Sequence, residues 1–143
     1  MTRIVMDTNV LVSGTFWQGA SARIIRMIEE QKLVLVLSED ILREYDKVMH
    51  YDEIRLKVLH HQERVDAVQK IMRLGQMTVR TEMIKEVMND PDDDKFLEAA
   101  IAGNAEYIIT QDKKHILPLK EFRGIKIVTP EAFLELAAKF SES

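Results

Sequence analysis

The chain has 143 residues, 46% of them hydrophobic and 31% charged, a size and balance that fit one globular domain burying about 70% of its unfolded surface. The absence of cysteine excludes disulfides, thiol catalysis and sulfur-ligated zinc. Twenty basic residues against 24 acidic ones leave a formal charge of −4, which excludes a grip on nucleic acid by protein charge alone.

In chain order, short β-branched runs alternate with stretches of helical period, the pattern of a parallel sheet covered by helices on both faces. The predicted strands are Arg3 to Met6, Leu33 to Leu37, Met77 to Arg80, Tyr107 to Thr110 and Ile125 to Val128. A helix from Ala20 to Glu30 buries Ile24, Ile25 and Ile28. Ser38 caps the next, with Ile41, Leu42, Tyr45, Val48 and Met49 inward. The charged segment Tyr51 to His61 has little pattern. A further helix, His61 to Leu74, is closed by Gly75 as a left-handed C-terminal cap. Asn89 to Asp94 reads as a loop whose acidic side chains accept the free N–H groups of a helix running through Leu97, Ala100 and Ile101 to Gly103. Thr129-Pro130 opens the last helix, docked by Phe133, Leu134 and Ala137. The longest aliphatic run, Leu33 to Leu37, is far short of the roughly 20 residues of a membrane span. The expectation is one domain over residues 1–143, neither membrane-bound nor secreted.

In open parallel sheets, ligand sites gather at the carboxyl ends of the strands. Asp7 directly follows the first strand and Asp112 follows the fourth by one residue. If those strands are neighbours, their backbones lie about 4.8 Å apart and the two carboxylates can share a cation. Taken singly, each also reads as an ordinary turn residue: Asp7-Thr8-Asn9 as an Asx-turn, Asp112 as the cap of the turn at Lys113. Glu44 and Asp46 occupy opposite borders of an apolar helix face, and periodicity does not choose between them. Four carboxylates gathered within about 5 Å repel by roughly 3 kcal/mol per pair at an effective dielectric near 20, so either they do not meet or a cation sits among them. All-oxygen ligands select a hard ion, Mg²⁺ or Mn²⁺, suited to phosphoryl transfer. His50, His60, His61 and His115 share no ligand spacing. Phe16 and Trp17, in a Gly14 to Gly19 loop, offer rings for an unpaired base or for packing.

Ile4-Val5-Met6-Asp7-Thr8-Asn9-Val10-Leu11, Ser38-Glu39-Asp40-Ile41-Leu42-Arg43-Glu44-Tyr45, Asp92-Asp93-Asp94-Lys95-Phe96-Leu97-Glu98-Ala99-Ala100 and Tyr107-Ile108-Ile109-Thr110-Gln111-Asp112 resemble, in order and spacing, the motifs of PIN-domain nucleases. The match covers roughly residues 3 to 130. It looks closest to stand-alone prokaryotic PIN proteins that serve as toxins of toxin-antitoxin pairs. The resemblance implies a three-layer α/β/α fold around a five-stranded parallel sheet ordered 3-2-1-4-5. It also implies a cytoplasmic, Mg²⁺- or Mn²⁺-dependent ribonuclease acting on single-stranded RNA. By motif, Asp7, Glu44, Asp94 and Asp112 are the metal-holding acids, and Asn9, Ser13 and Thr110 support them. Asp92 and Asp93 compete with Asp94 for the third position; spacing favours Asp94, three residues before Leu97. Glu98, where the family more often has alanine, is an outer acid or a solvated glutamate.

Leaving the four acids out of the count brings the formal charge from −4 to zero, and each divalent ion bound among them adds +2 that attracts phosphate. Arg23, Arg26, Arg43, Lys47, Lys113 and Lys114 are the candidate basic guides for RNA. An antitoxin partner and a homodimer are expectations of the resemblance alone. Two other families also place an Asp after a strand. Haloacid dehalogenase-type phosphatases want a second Asp at the position of Asn9, and receiver domains want an acidic pair after the first strand, which is absent. The rival of another class is a PIN-like module that binds partners without catalysis.

Overall fold

A computed structural model of the chain describes residues 1–84 and 94–140. Its strands are β1 (Thr2–Met6), β2 (Leu33–Ser38), β3 (Gln76–Thr78), β4 (Tyr107–Ile109), β5 (Glu121–Phe122) and β6 (Ile125–Val128). The helices are α1 (Thr8–Phe16), α2 (Ala20–Glu29), α3 (Glu39–Met49), α4 (Asp52–Arg55), α5 (His61–Met72), α6 (Asp94–Ala102) and α7 (Pro130–Ala137), with a 3₁₀ turn at Leu117–Leu119. The sheet runs β3-β2-β1-β4-β6-β5 and is parallel except at its last pair. Helices pack on both faces in the expected α/β/α arrangement, and α6 lies against β1, β2 and β4.

The sheet has six strands rather than five. The addition is β5, antiparallel to β6 with Phe122 opposite Ile125. Arg123 and Gly124, the two residues between them, both have positive φ, 49° and 85°, the backbone that a two-residue hairpin with native twist requires. Two residues, one of them charged, carry too little pattern for a strand to be read from sequence.

Three further expectations are corrected. The Gly14 to Gly19 loop is partly helix, because α1 continues through Phe16. Its β-branched residues and glycine have low helix propensity, but Val10, Leu11, Val12 and Phe16 are buried, and packing overrides propensity. At Gly14 a Cβ would come within 3.0 Å of the Ser21 backbone, so the glycine is what lets α1 and α2 approach. Gly75 is not a left-handed cap: the positive-φ glycines among the described residues are Gly19 and Gly124. Gly75 is required by proximity instead, since its Cβ would stand 2.7 Å from the Leu35 carbonyl oxygen. Finally, β3 stops at Thr78, leaving Val79 and Arg80 beyond the strand. The charged Tyr51 to His61 segment contains one short helix, α4.

Of the residues predicted to face inward, Ile24, Ile25, Ile28, Ile41, Tyr45, Met49, Leu97, Ala100 and Phe133 are buried, whereas Leu42, Val48, Ile101, Leu134 and Ala137 are half-buried against them. Val65 and Val68 of α5 join this core, around a sheet whose Ile4, Val5, Met6 and Ile108 are fully enclosed. No helix among the described residues is long and apolar enough to cross a membrane.

Candidate functional site

β1 and β4 are parallel neighbours, with Met6 opposite Ile109. The residues that leave their carboxyl ends therefore share one sheet edge. The Asp7 N–H donates to the Ile109 carbonyl at 3.0 Å, extending the ladder by one residue before the chain turns into α1. Asp7 is the N-cap of that helix: its Oδ1 accepts from the Val10 N–H at 2.9 Å. Its Oδ2 accepts from the Thr110 hydroxyl, and the Thr110 Oγ1 accepts in turn from the Asp112 N–H at 3.0 Å. One relay thus runs from the backbone of Asp112 through Thr110 to Asp7, placing both acids and their expected support together. Asp7 is only 4% exposed and Thr110 is fully buried.

Burial pushes the Asp7 carboxyl above its ordinary range, against the hydrogen bonds from Thr110 and Val10, and the charge of Asp112 pushes the same way. The two acids therefore feel each other. Asp112 is displaced in the opposite direction. Burial pulls it up, but the N–H groups of His115 and Lys114 and the His115 side chain outweigh that and hold it low. Both N–H groups reach Oδ1 at 3.0 Å, and His115 Nδ1 stands 3.3 Å from Oδ2. The turn-cap reading and the site reading of Asp112 are thus both true, because a cap at a strand end leaves the carboxylate facing the edge.

The remaining acids come from helices. Asp94, the first residue of α6, is 4% exposed. Asp92 and Asp93 lie outside the described residues. Glu44 on α3 lines a hollow of about 1060 Å³ together with Asn9, Asp94, Glu98, Asp112 and His115; the buried Asp7 is not among its lining residues and lies behind Thr8 and Asn9, which are. Asp46 is exposed on the far side of α3, beside His50. Glu44 is held by Lys95 of α6, Nζ to Oε2 at 2.5 Å. Glu98 also faces the hollow; its Oε2 is buried without a hydrogen bond among the described residues and stands 3.5 Å from an Arg80 nitrogen.

Ser13 is half-buried on α1 and is not among the residues lining the cleft. Of the basic candidates, Arg43 and Lys47 line it, whereas Arg23, Arg26, Lys113 and Lys114 do not. Phe16 is buried, stacked on His61 at 5.1 Å, while Trp17 is exposed. Among the cleft residues that had not been singled out by sequence for this place are His115, three residues after Asp112 on the same turn, and the ion-paired Lys95 and Arg80. The one available signal was the adjacency of Lys95 to Asp94.

The donors are carboxylate and hydroxyl oxygens, and Asp7 is a desolvated acid kept above its ordinary range beside a second acid. That chemistry fits a hard divalent cation. Among the described residues, no three acids or histidines stand together tightly enough to form a closed ligand group, and Glu44 is engaged by Lys95.

The model of the PIN domain matches residues 3–114, a span that begins at β1 and closes just after Asp112. The chain belongs to the PIN domain family. Its edge acids thereby stand on a nuclease fold. A solved structure from Pyrobaculum aerophilum, PAE2754, is similar with a TM-score of 0.62 at 15% identity, over 96% of this chain and 90% of that one, a likeness of fold. A comparison with curated proteins finds no match.

Proposed function

We propose that this PIN domain is a divalent-metal-dependent endoribonuclease that cleaves single-stranded RNA. The observation that carries the reading is the Asp112–Thr110–Asp7 relay, which fixes two acids of displaced protonation at one sheet edge with Asp94 and Glu44 facing the same hollow. Asp7, Asp94 and Asp112 would hold the cation, Mg²⁺ or Mn²⁺, and Glu44 would join them through the carboxylate oxygen that Lys95 does not take. When bound, that ion supplies Lewis acidity, activating water and neutralising phosphate charge.

The protein's own part is placement. Thr110 and the Val10 N–H use one lone pair on each Asp7 oxygen, fixing the carboxylate plane while leaving acceptor capacity on both. The Lys114 and His115 N–H groups keep Asp112 ionised and oriented. Asn9, exposed at the cleft wall, has an amide able to hold a water or a phosphate oxygen. We further propose the cellular role that the motif resemblance suggests: a cytoplasmic toxin, homodimeric, held inactive by an antitoxin protein.

Cleavage of a labelled single-stranded RNA in Mn²⁺ or Mg²⁺, beside EDTA and an identically purified Asp7→Asn variant, tests the enzyme. Metal-dependent cleavage at least 100-fold weaker in the variant is the expected result. No cleavage, or equal cleavage by both proteins, sinks the reading in favour of a partner-binding module.

A further inference from the structure

We propose that Arg80 and Lys95 form a seat for a backbone phosphate of the single strand, next to the acids rather than over them. This rests on the ribonuclease reading. Both cations line the acidic cleft, and both also line an adjoining hollow of about 240 Å³ that continues past Thr78 and Val79. They therefore stand on the path a strand takes as it leaves the acids.

Each is held from behind by a carboxylate. Lys95, almost enclosed, gives one N–H to Glu44, and Arg80 stands 3.5 Å from Glu98. An ammonium has three donors and a guanidinium five, so both keep donors to spend. Among the described residues Glu98 Oε2 accepts no hydrogen bond, so Arg80 spends none on that oxygen, and it is half exposed. The other carboxylates of the small hollow do not oppose an anion unscreened: Glu39 takes Arg43 at 2.6 Å and Asp40 stands 4.0 Å from the same guanidinium. Lys47, at the cleft wall, has no ion-pair partner among the described residues. The acids around Asp7 would repel a phosphate, whereas the N–H donors that Arg80 and Lys95 keep beyond their carboxylate partners offer it hydrogen bonds on this flank.

The experiment is binding of a fluorescein-labelled oligouridylate by anisotropy in EDTA, repeated over a potassium chloride series. The proteins are wild type, Arg80→Met, the charge-neutral pair Lys95→Met/Glu44→Gln, and Lys32→Met as a control cation in the turn before β2. Arg80 is exposed enough for its variant to fold whatever becomes of the buried pair. Arg80→Met is expected to weaken binding roughly tenfold and to lower the slope of log K against log salt by about 0.7, the loss of one phosphate contact on a single strand. The double variant is expected to do the same, and Lys32→Met to leave both unchanged. Wild-type binding with an undiminished slope in Arg80→Met overturns the seat and leaves the nuclease reading standing. Wild-type protein that neither binds nor cleaves RNA overturns both.

Discussion

Asp7 concentrates three demands in one carboxylate: it caps α1, accepts from Thr110, and stands beside Asp112. Burial raises its proton affinity above that of an unfolded Asp, whose pKa is about 3.9. The unfolded chain therefore gives up this proton first. As pH rises through the shifted value, stability is lost and remains lower at neutral pH. Asp112 carries the opposite sign, contributing stability above the ordinary carboxylate pKa that is lost as pH falls through its lowered value. Asp7→Asn keeps the capping oxygen and removes the buried charge. In EDTA at pH 7 its Tm should lie a few degrees above wild type, with the gap closing as pH is lowered and the wild-type carboxyl protonates. A Tm below wild type at pH 7 would mean that the hydrogen bonds, not the desolvated charge, dominate at this position.

At the scale of elements, α1, capped by Asp7, and α3, which bears Glu44, are tied together inside the core. Thr15 Oγ1 donates to the Leu11 carbonyl at 2.7 Å, so its 2.7 Å contact with the buried Tyr45 hydroxyl leaves the tyrosine as donor. Burial accordingly holds the Tyr45 phenol well above its usual range. This directionality makes two nearly isosteric substitutions unequal. Tyr45→Phe removes one neutral hydrogen bond and leaves Thr15 satisfied, a cost of about 1 kcal/mol. Thr15→Val strands a buried hydroxyl on Tyr45, a cost of about 2–3 kcal/mol. Urea unfolding of the two variants checks the order; equal costs would show that the tyrosine finds another acceptor. Elements were legible where their pattern was long. The Ile24, Ile25 and Ile28 stripe, the Ser38 cap with its Ile41 N–H, and the Thr129 cap with its Ala132 N–H all occupy the expected positions. The ones that sequence did not reveal were short or held by packing: β5 by a two-residue turn, and α1 by burial of residues that prefer strands.

For the whole molecule, the decisive fact is that acids distant in sequence are brought toward one sheet edge, while among the described residues no three acids or histidines form a closed ligand group. A cation bound there would favour the folded state by mass action. Free Mn²⁺ or Mg²⁺ at 100 times its dissociation constant adds about 2.7 kcal/mol, roughly 10 °C in Tm for a domain of this size. Differential scanning fluorimetry should show that rise in wild type, reversed by EDTA and largely absent in Asp7→Asn. A rise of equal size in the variant would place the ion elsewhere.

The sequence by itself determined the alternation of strands and helices, the buried stripes, and the order of four acidic motifs, because these are written in local period and spacing. Only the tertiary structure showed that Glu44 and not Asp46 lines the cleft, since both border the same apolar stripe and one turns toward the cleft only once α3 packs near α6. Only it showed that Thr110 links Asp7 to Asp112, that Gly75 is there for the Leu35 carbonyl rather than for a positive φ, and that Lys95 and Arg80 back onto Glu44 and Glu98. Each of these joins residues far apart along the chain or depends on how closely two elements approach. Such contacts leave no period in the sequence, because strand order and helix packing, not spacing along the chain, set the distances between them.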